Sequence, residues 1–212
     1  MALNDEIKKL DDWADYLPKM AMELLNDNGG PFYKLDLIFI GAIKRSMSLT
    51  VGLSDLIKAK NITLCRAILR MQMDTVGRMM AYTYVDNPSE MALKVIGGVA
   101  LNTFQSRDGS RLTDAYLIGR MNENHPWMKD AYKRLSGYVH FSENQIFDSI
   151  VGIGSDAERT ITIAIGKEDD NFPDDSWTEI AKHFNELLSI FGNLLVTYRR
   201  EIRSFENRSS KA

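Results

Sequence analysis

Apolar residues recur at three- and four-residue steps along most of the chain, and only one stretch alternates. Trp13, Tyr16, Leu17, Met20 and Leu24 predict a helix over residues 4–27, broken by Asn28-Gly-Gly-Pro31. Leu35, Ile38, Phe39, Ala42, Ile43, Leu49, Leu53 and Leu56 predict a long helix over residues 35–58, which Gly41 and Gly52 weaken without ending. Asn61 is placed to cap a third helix that runs to about Val85, where Asp86-Asn-Pro88 stops it. A fourth helix is expected from Ser89 to near Phe104, with Gly97-Gly98 inside it as a point of close helix packing. After a loop at residues 106–110 comes a short helix over 112–121. His125-Pro-Trp127 then opens a segment whose apolar side is Trp127, Ala131, Leu135 and Tyr138.

Beyond His140 the apolar period falls to two. Residues 145–153 and 160–165, rich in isoleucine, predict two strands joined by a turn at 155–159. An acidic loop at 168–175 leads into a last helix from Ser176 to about Phe205, with Asp174 or Asp175 as its cap. The expected class is mainly α, a helical bundle with one inserted β-hairpin. The expected organisation is a helical lead-in at 1–30, a bundle at 31–205 holding the hairpin at about 144–166, and a mobile polar tail at 206–212.

Composition narrows the function classes. Apolar residues make up 44% of 212, enough for a sizeable core. A net charge of −3 argues against a protein that coats nucleic acid, while leaving room for a local basic groove. Cys65 is the only cysteine, so no intramolecular disulfide forms, which fits a reducing cytoplasm. The first residues carry no basic-then-apolar secretory pattern, and the apolar run at 37–43 falls short of a membrane span. A cytoplasmic protein with no membrane partner is expected. No phosphate loop, dinucleotide fingerprint or nucleophile elbow occurs. His125 and His183 have no metal-ligand spacing, and the acidic loop lacks the alternating ligands and central glycine of a calcium loop. Neither a metal nor an organic cofactor is expected.

Two constellations carry candidate chemistry. On the third helix Leu64, Ile68, Met71, Thr75, Met79 and Tyr82 share one side, while Arg66, Arg70, Asp74 and Arg78 follow one another at four-residue steps on the other. That charged row reads either as a solvated face, as a phosphate-binding track, or as arginine buried against a partner subunit's carboxylate. The second constellation is Arg134 and His140, six residues apart. A guanidinium grips a phosphate with two hydrogen bonds, and an imidazole exchanges a proton near neutral pH. Six residues of unbroken helix turn by about 240° and rise about 9 Å, so the two side chains diverge by about 120°. A bend at Gly137, or a two-fold axis joining two pairs, would bring them to one phosphate. The plainer reading has the histidine capping helix-end carbonyls and Arg134 paired with Asp130.

The segment Tyr132-Lys-Arg-Leu-Ser-Gly-Tyr-Val-His140-Phe-Ser, following a long helix and an arginine-bearing one, resembles the HEPN superfamily. The resemblance covers residues 35–140. Its signature is an arginine followed within a few residues by a histidine, and Arg134 and His140 match it with five residues between them. The likeness implies a compact, homodimeric α-helical domain acting as a metal-independent endoribonuclease, of the kind found in toxin–antitoxin and phage-defence systems. It further implies that His140 is general acid or base at the ribose 2′-hydroxyl and that Arg134 steadies the phosphoryl oxygens. Arg66 and Arg70 would touch neighbouring phosphates. The product would be a 2′,3′-cyclic phosphate, and the partners RNA, a second subunit, and an antitoxin or other protein. Leu135 stands where active members usually carry a polar residue. That leaves open a non-catalytic dimeric module binding a protein or nucleotide.

Overall fold

Leu10, Leu17, Met20 and Leu24 form one stripe of the first helix, α1 (Ala2–Leu25), and all four are buried. They lie at three-, four- and seven-residue steps, so a single face meets the bundle. The computed structural model describes residues 2–26, 32–140, 142–155 and 159–202. The expected break at 28–31, the helix end near residue 205, the tail at 206–212 and the middle of the 155–159 turn lie outside them.

Helix α2 (Lys34–Lys58) buries Leu35, Phe39, Ile43, Leu49, Leu53 and Ile57 together with Asp36, Ser46, Thr50 and Ser54. The polar members are satisfied across the bundle: Gln72 Nε2 donates to Ser46 Oγ at 3.1 Å and Ser54 Oγ to Asp11 at 2.9 Å. Among the described residues α2 alone is long and apolar enough to cross a membrane, with a mean hydropathy of 1.3 over its best window. It packs here against α1 and against helix α3 (Ile62–Ala81).

Asn61 caps α3 as expected, accepting from the Leu64 N–H at 3.0 Å. The buried face of α3 is Cys65, Leu69, Met73 and Val76, whereas Leu64 and Met71 are exposed. The apolar wheel read from sequence is therefore displaced. α3 lies among several helices, so the side it buries is set by neighbours as much as by its own pattern. α3 also stops at Ala81, short of Val85. The N–H groups of Tyr82, Thr83 and Tyr84 turn back onto Met79 O, Met80 O and Ala81 O, three residues earlier, which tightens and ends the helix, and Arg107 then holds Thr83 O at 3.0 Å and Val85 O at 2.7 Å.

Helix α4 (Pro88–Ile96) starts one residue before Ser89, capped by Asn87, and ends well before Phe104. Gly98 has φ +92°, a left-handed conformation that glycine adopts without strain. Its N–H and that of Val99 fold back onto Val95 O and Lys94 O, closing the helix. The glycine pair is thus a helix stop, not a site of helix packing. Helices α5 (Asp114–Asn122), α6 (Met128–Val139) and the short α7 (Glu143–Phe147) follow.

The hairpin consists of β1 (Ile150–Ile153) and β2 (Ile161–Ile163), antiparallel. The first strand is shorter than expected, because residues 143–147 make a helical turn, with the Gln145 and Ile146 N–H groups folding onto Ser142 O. Alternation alone cannot supply a ladder partner, and pairing begins only at Ile150 with Ile163. Helix α8 (Asp174–Thr197) completes the bundle, burying Trp177, Phe184, Leu187, Leu188 and Phe191. Asp174 and Asp175 lie within its first turn and complement the helix dipole. Neither is the cap, which falls at Pro173 without a side-chain bond. The protein is a mainly α bundle with a two-stranded hairpin.

Candidate functional site

α6 carries Met128, Ala131 and Leu135 into the core, and this fixes where its other residues point. Tyr132 and Ser136, four residues apart, face α3. Arg70 stacks on the Tyr132 ring at 3.5 Å and donates from Nε to Ser136 Oγ at 3.2 Å. It also forms an ion pair with Asp74 on its own helix. Arg66, one turn earlier, lies 3.9 Å over the Tyr138 ring and pairs with Asp148, just ahead of the hairpin. Both arginine side chains are only 13% and 14% exposed. Arg66 and Arg70 are therefore largely buried against carboxylates of the same chain, whereas Arg78, the last of the row, is exposed with its Nε 3.8 Å from Asp114. Burial pushes the Tyr132 phenol up to about 12.

Arg134 points to another flank, toward α8. Its Nη2 is 3.5 Å from Glu179 Oε1, and the two side chains are 63% and 54% exposed. Such a pair is worth little, so the guanidinium is readily released to an anionic ligand. Asp130, the partner expected from sequence, is not in contact with it; Glu179 takes that place, supplied by a helix remote in sequence. Arg134 and Arg66 line one cleft of about 200 Å³ between α3, α6 and α8, together with Tyr138, Ser176, Glu179 and His183. Leu69, Leu135 and Ile180 contribute its apolar lining. His140 is not among the residues that line this cleft. It is the C-terminal cap residue of α6, exposed, with its backbone N–H on Ser136 O at 3.1 Å. Within one subunit, then, the cleft joins Arg134 to Arg66, while Arg134 and His140 occupy different flanks of α6.

The cleft also contains groups that sequence reasoning passed over. His183 stacks on Trp127 with ring centres 4.0 Å apart and planes 11° off parallel. Its burial lowers its pKa, so the imidazole is neutral at pH 7. Glu179 is 4.0 Å from its Nδ1. Next to them Glu186 Oε1 accepts from Trp127 Nε1 at 2.9 Å and meets His125 Nδ1 at 2.7 Å. Burial acts to raise the Glu186 pKa, but the bonds from Trp127 and His125 outweigh it and keep the carboxylate ionised. An ionised acceptor requires the His125 proton on Nδ1. Glu179, His183 and Glu186 recur at four and three residues along α8. That helical spacing was a usable signal in the sequence.

A half-free guanidinium beside a neutral imidazole can hold a phosphate and exchange a proton. Among the described residues no group of three His, Cys, Asp or Glu side chains is placed to hold a metal ion. Cys65 is buried, and its thiol is pushed up to about 12, the behaviour of a core residue. The fold and site define a class, a mainly α bundle with an arginine–tyrosine seam between α3 and α6 and a polar cleft beside it. Comparison with family models, curated proteins and solved structures returns no match in any of the three.

Proposed function

We propose that this protein is a HEPN-like, metal-independent endoribonuclease acting as a homodimer in the cytoplasm, in phage defence or stress response. The observation that carries this reading is the exposure of both Arg134 and His140 on α6, whose core side is anchored by Leu135. Arg134 would exchange Glu179 for a phosphodiester and steady its oxygens as charge grows. His140, which lies outside the Arg134 cleft within one chain, would reach the same phosphate across the two-fold axis and there take the proton of the ribose 2′-hydroxyl or give one to the leaving 5′-oxygen. The 2′-oxygen then bonds to phosphorus as the bond to the 5′-oxygen breaks, leaving a 2′,3′-cyclic phosphate and a 5′-hydroxyl. Arg66 contributes positive charge to the cleft wall. Arg70, sealed by Tyr132 and Asp74, holds α6 in place.

A second reading is a non-catalytic helical module that binds a protein or nucleotide. It is favoured by the carboxylates already paired with Arg66, Arg70 and Arg134, namely Asp148, Asp74 and Glu179. Cleavage of mixed RNAs in EDTA, with His140→Ala as the control for contaminating nuclease, separates the two. Cyclic-phosphate ends made only by the unaltered protein support the nuclease. Absence of cleavage across a broad set of RNAs supports the module.

A further inference from the structure

The hairpin has a bulge, and the bulge decides what its faces carry. Ile150 pairs with Ile163, Gly152 with Thr162 and Ile153 with Ile161, so Val151 is the extra residue. Directly opposed residues share a face, as do residues two apart on one strand. Ile150, Ile153, Ile161 and Ile163 consequently stand on one side, with Gly152 and Thr162 on the other. Without the bulge, Ile150 and Ile153 would lie on opposite sides. Ile165 continues the alternation beyond β2.

That aliphatic face is uncovered. Ile153 is 77% exposed, Ile161 60%, Ile163 58% and Ile165 93%. Ile146 and Phe147 of α7, just before the hairpin, are also more than half exposed. The four exposed isoleucines offer on the order of 550 Å² of surface, toward the lower end of what each partner contributes to a specific interface. The largest apolar patch on a typical monomer is roughly 300–600 Å². A two-stranded sheet is at best marginal alone and needs a buried apolar face or further strands. The base of this hairpin is nevertheless held firmly. Asp148 pairs with Arg66, while Asp169 accepts from the Ile62 N–H at 2.8 Å and its own N–H donates to Lys60 O at 2.8 Å. Those contacts present the isoleucine face as a fixed platform.

We propose that this face docks on the same face of a second copy of the chain, forming a two-fold dimer by stacking one hairpin on the other. The five positions are all isoleucine, so two copies meet without burying like charges. A uniform β-branched face complements itself under two-fold symmetry. Stacking buries both sheets at the spacing of about 10 Å usual for packed β-layers. The area available on one copy reaches the lower end of what a specific interface buries on each partner. The proposal supplies the surface for the homodimer and stands apart from the nuclease reading, because assembly is measured without RNA.

The test is light scattering and sedimentation of the full chain at micromolar concentrations. A mass of twice 24.1 kDa is expected. Ile153→Lys with Ile163→Lys should weaken association by at least about 100-fold, because each lysine would be buried unpaired. Thr162→Lys, on the opposite face, should leave the dimer intact. Hydrogen exchange on the unaltered chain tests the same face with no substitution. Amides of β1 and β2 should exchange faster as the protein is diluted through its dissociation range. A mass of 24.1 kDa for the unaltered protein at tens of micromolar overturns the proposal. So does a dimer that survives both lysines with concentration-independent exchange in the hairpin, since the interface then lies elsewhere.

Discussion

Arg66 on α3 and Asp148 before β1 are 82 residues apart in the chain and form a largely buried ion pair. The same guanidinium lies over Tyr138 of α6 and lines the cleft that Arg134 and His183 share. One residue therefore joins the hairpin base, the helix carrying the Arg–His segment, and the candidate site. A change at the hairpin has a direct mechanical route to the cleft.

Arg66→Gln should destabilise the protein by about 1–3 kcal/mol, because it strands a half-buried carboxylate. Burial already raises the Asp148 pKa, and Arg66 is what holds it down. Carboxyl resonances followed by NMR should show Asp148 titrating higher in the variant than in the parent. The folded carboxyl keeps its proton to higher pH than the unfolded one. This group's contribution to stability therefore diminishes as pH rises from the ordinary carboxylate value through the folded one. An unshifted Asp148 in Arg66→Gln would contradict the pairing.

His140→Ala should slow RNA cleavage by roughly 10²- to 10⁴-fold. It should leave the melting temperature nearly unchanged, since the side chain is exposed and fills no cavity. Arg134→Lys should also impair cleavage, because an ammonium keeps the charge and loses the two-pronged grip. Single-turnover rates and circular dichroism melts on the same preparations check both. A large drop in melting temperature with unchanged cleavage would make these residues structural.

The His183 ring should titrate below the ordinary histidine range, because burial disfavours its charged form. Between the folded and unfolded pKa values the unfolded chain binds more protons, so stability rises with pH across that window and falls on acidification. His183→Gln should flatten this slope. Ring-proton NMR gives the titration directly. Denaturant melts from pH 5 to 7 give the slope, and an equal slope in parent and variant would refute the assignment.

Tyr198→Phe should cost about 1–3 kcal/mol. The Tyr198 hydroxyl donates to the fully buried Asp36 at 2.7 Å, and its ring stacks on Phe39 at 4.2 Å. The variant keeps the stacking and deprives a buried carboxylate of one donor. Urea unfolding monitored by fluorescence measures the loss, and a difference below 0.5 kcal/mol would mean that Asp36 finds another donor.

The helices were legible because their signal is local. Asn61 announced the start of α3, and the switch of period after His140 announced the hairpin. Element ends were less legible where the backbone turns on itself, as it does in the three-residue-step bonds that end α3 and at left-handed Gly98 after α4. The first half of the expected strand at 145–153 became α7, because a strand needs a partner and the partner reaches only as far as Ile150. In the candidate site, Arg134, His140, Arg66 and Arg70 were visible as residue types at telling spacings. Their assortment was not.

What the sequence determined by itself is the mainly α class and the hairpin, since each depends on the apolar period over a few positions. Only the tertiary structure decided that Arg66 and Arg70 are sealed against Asp148, Asp74 and two tyrosines. It also decided that Glu179 rather than Asp130 meets Arg134, and that His183, stacked on Trp127, lines the cleft while His140 stays outside it. Those outcomes follow from how α3, α6 and α8 rotate against one another. That rotation is set by the packing of the whole core, which no local window contains.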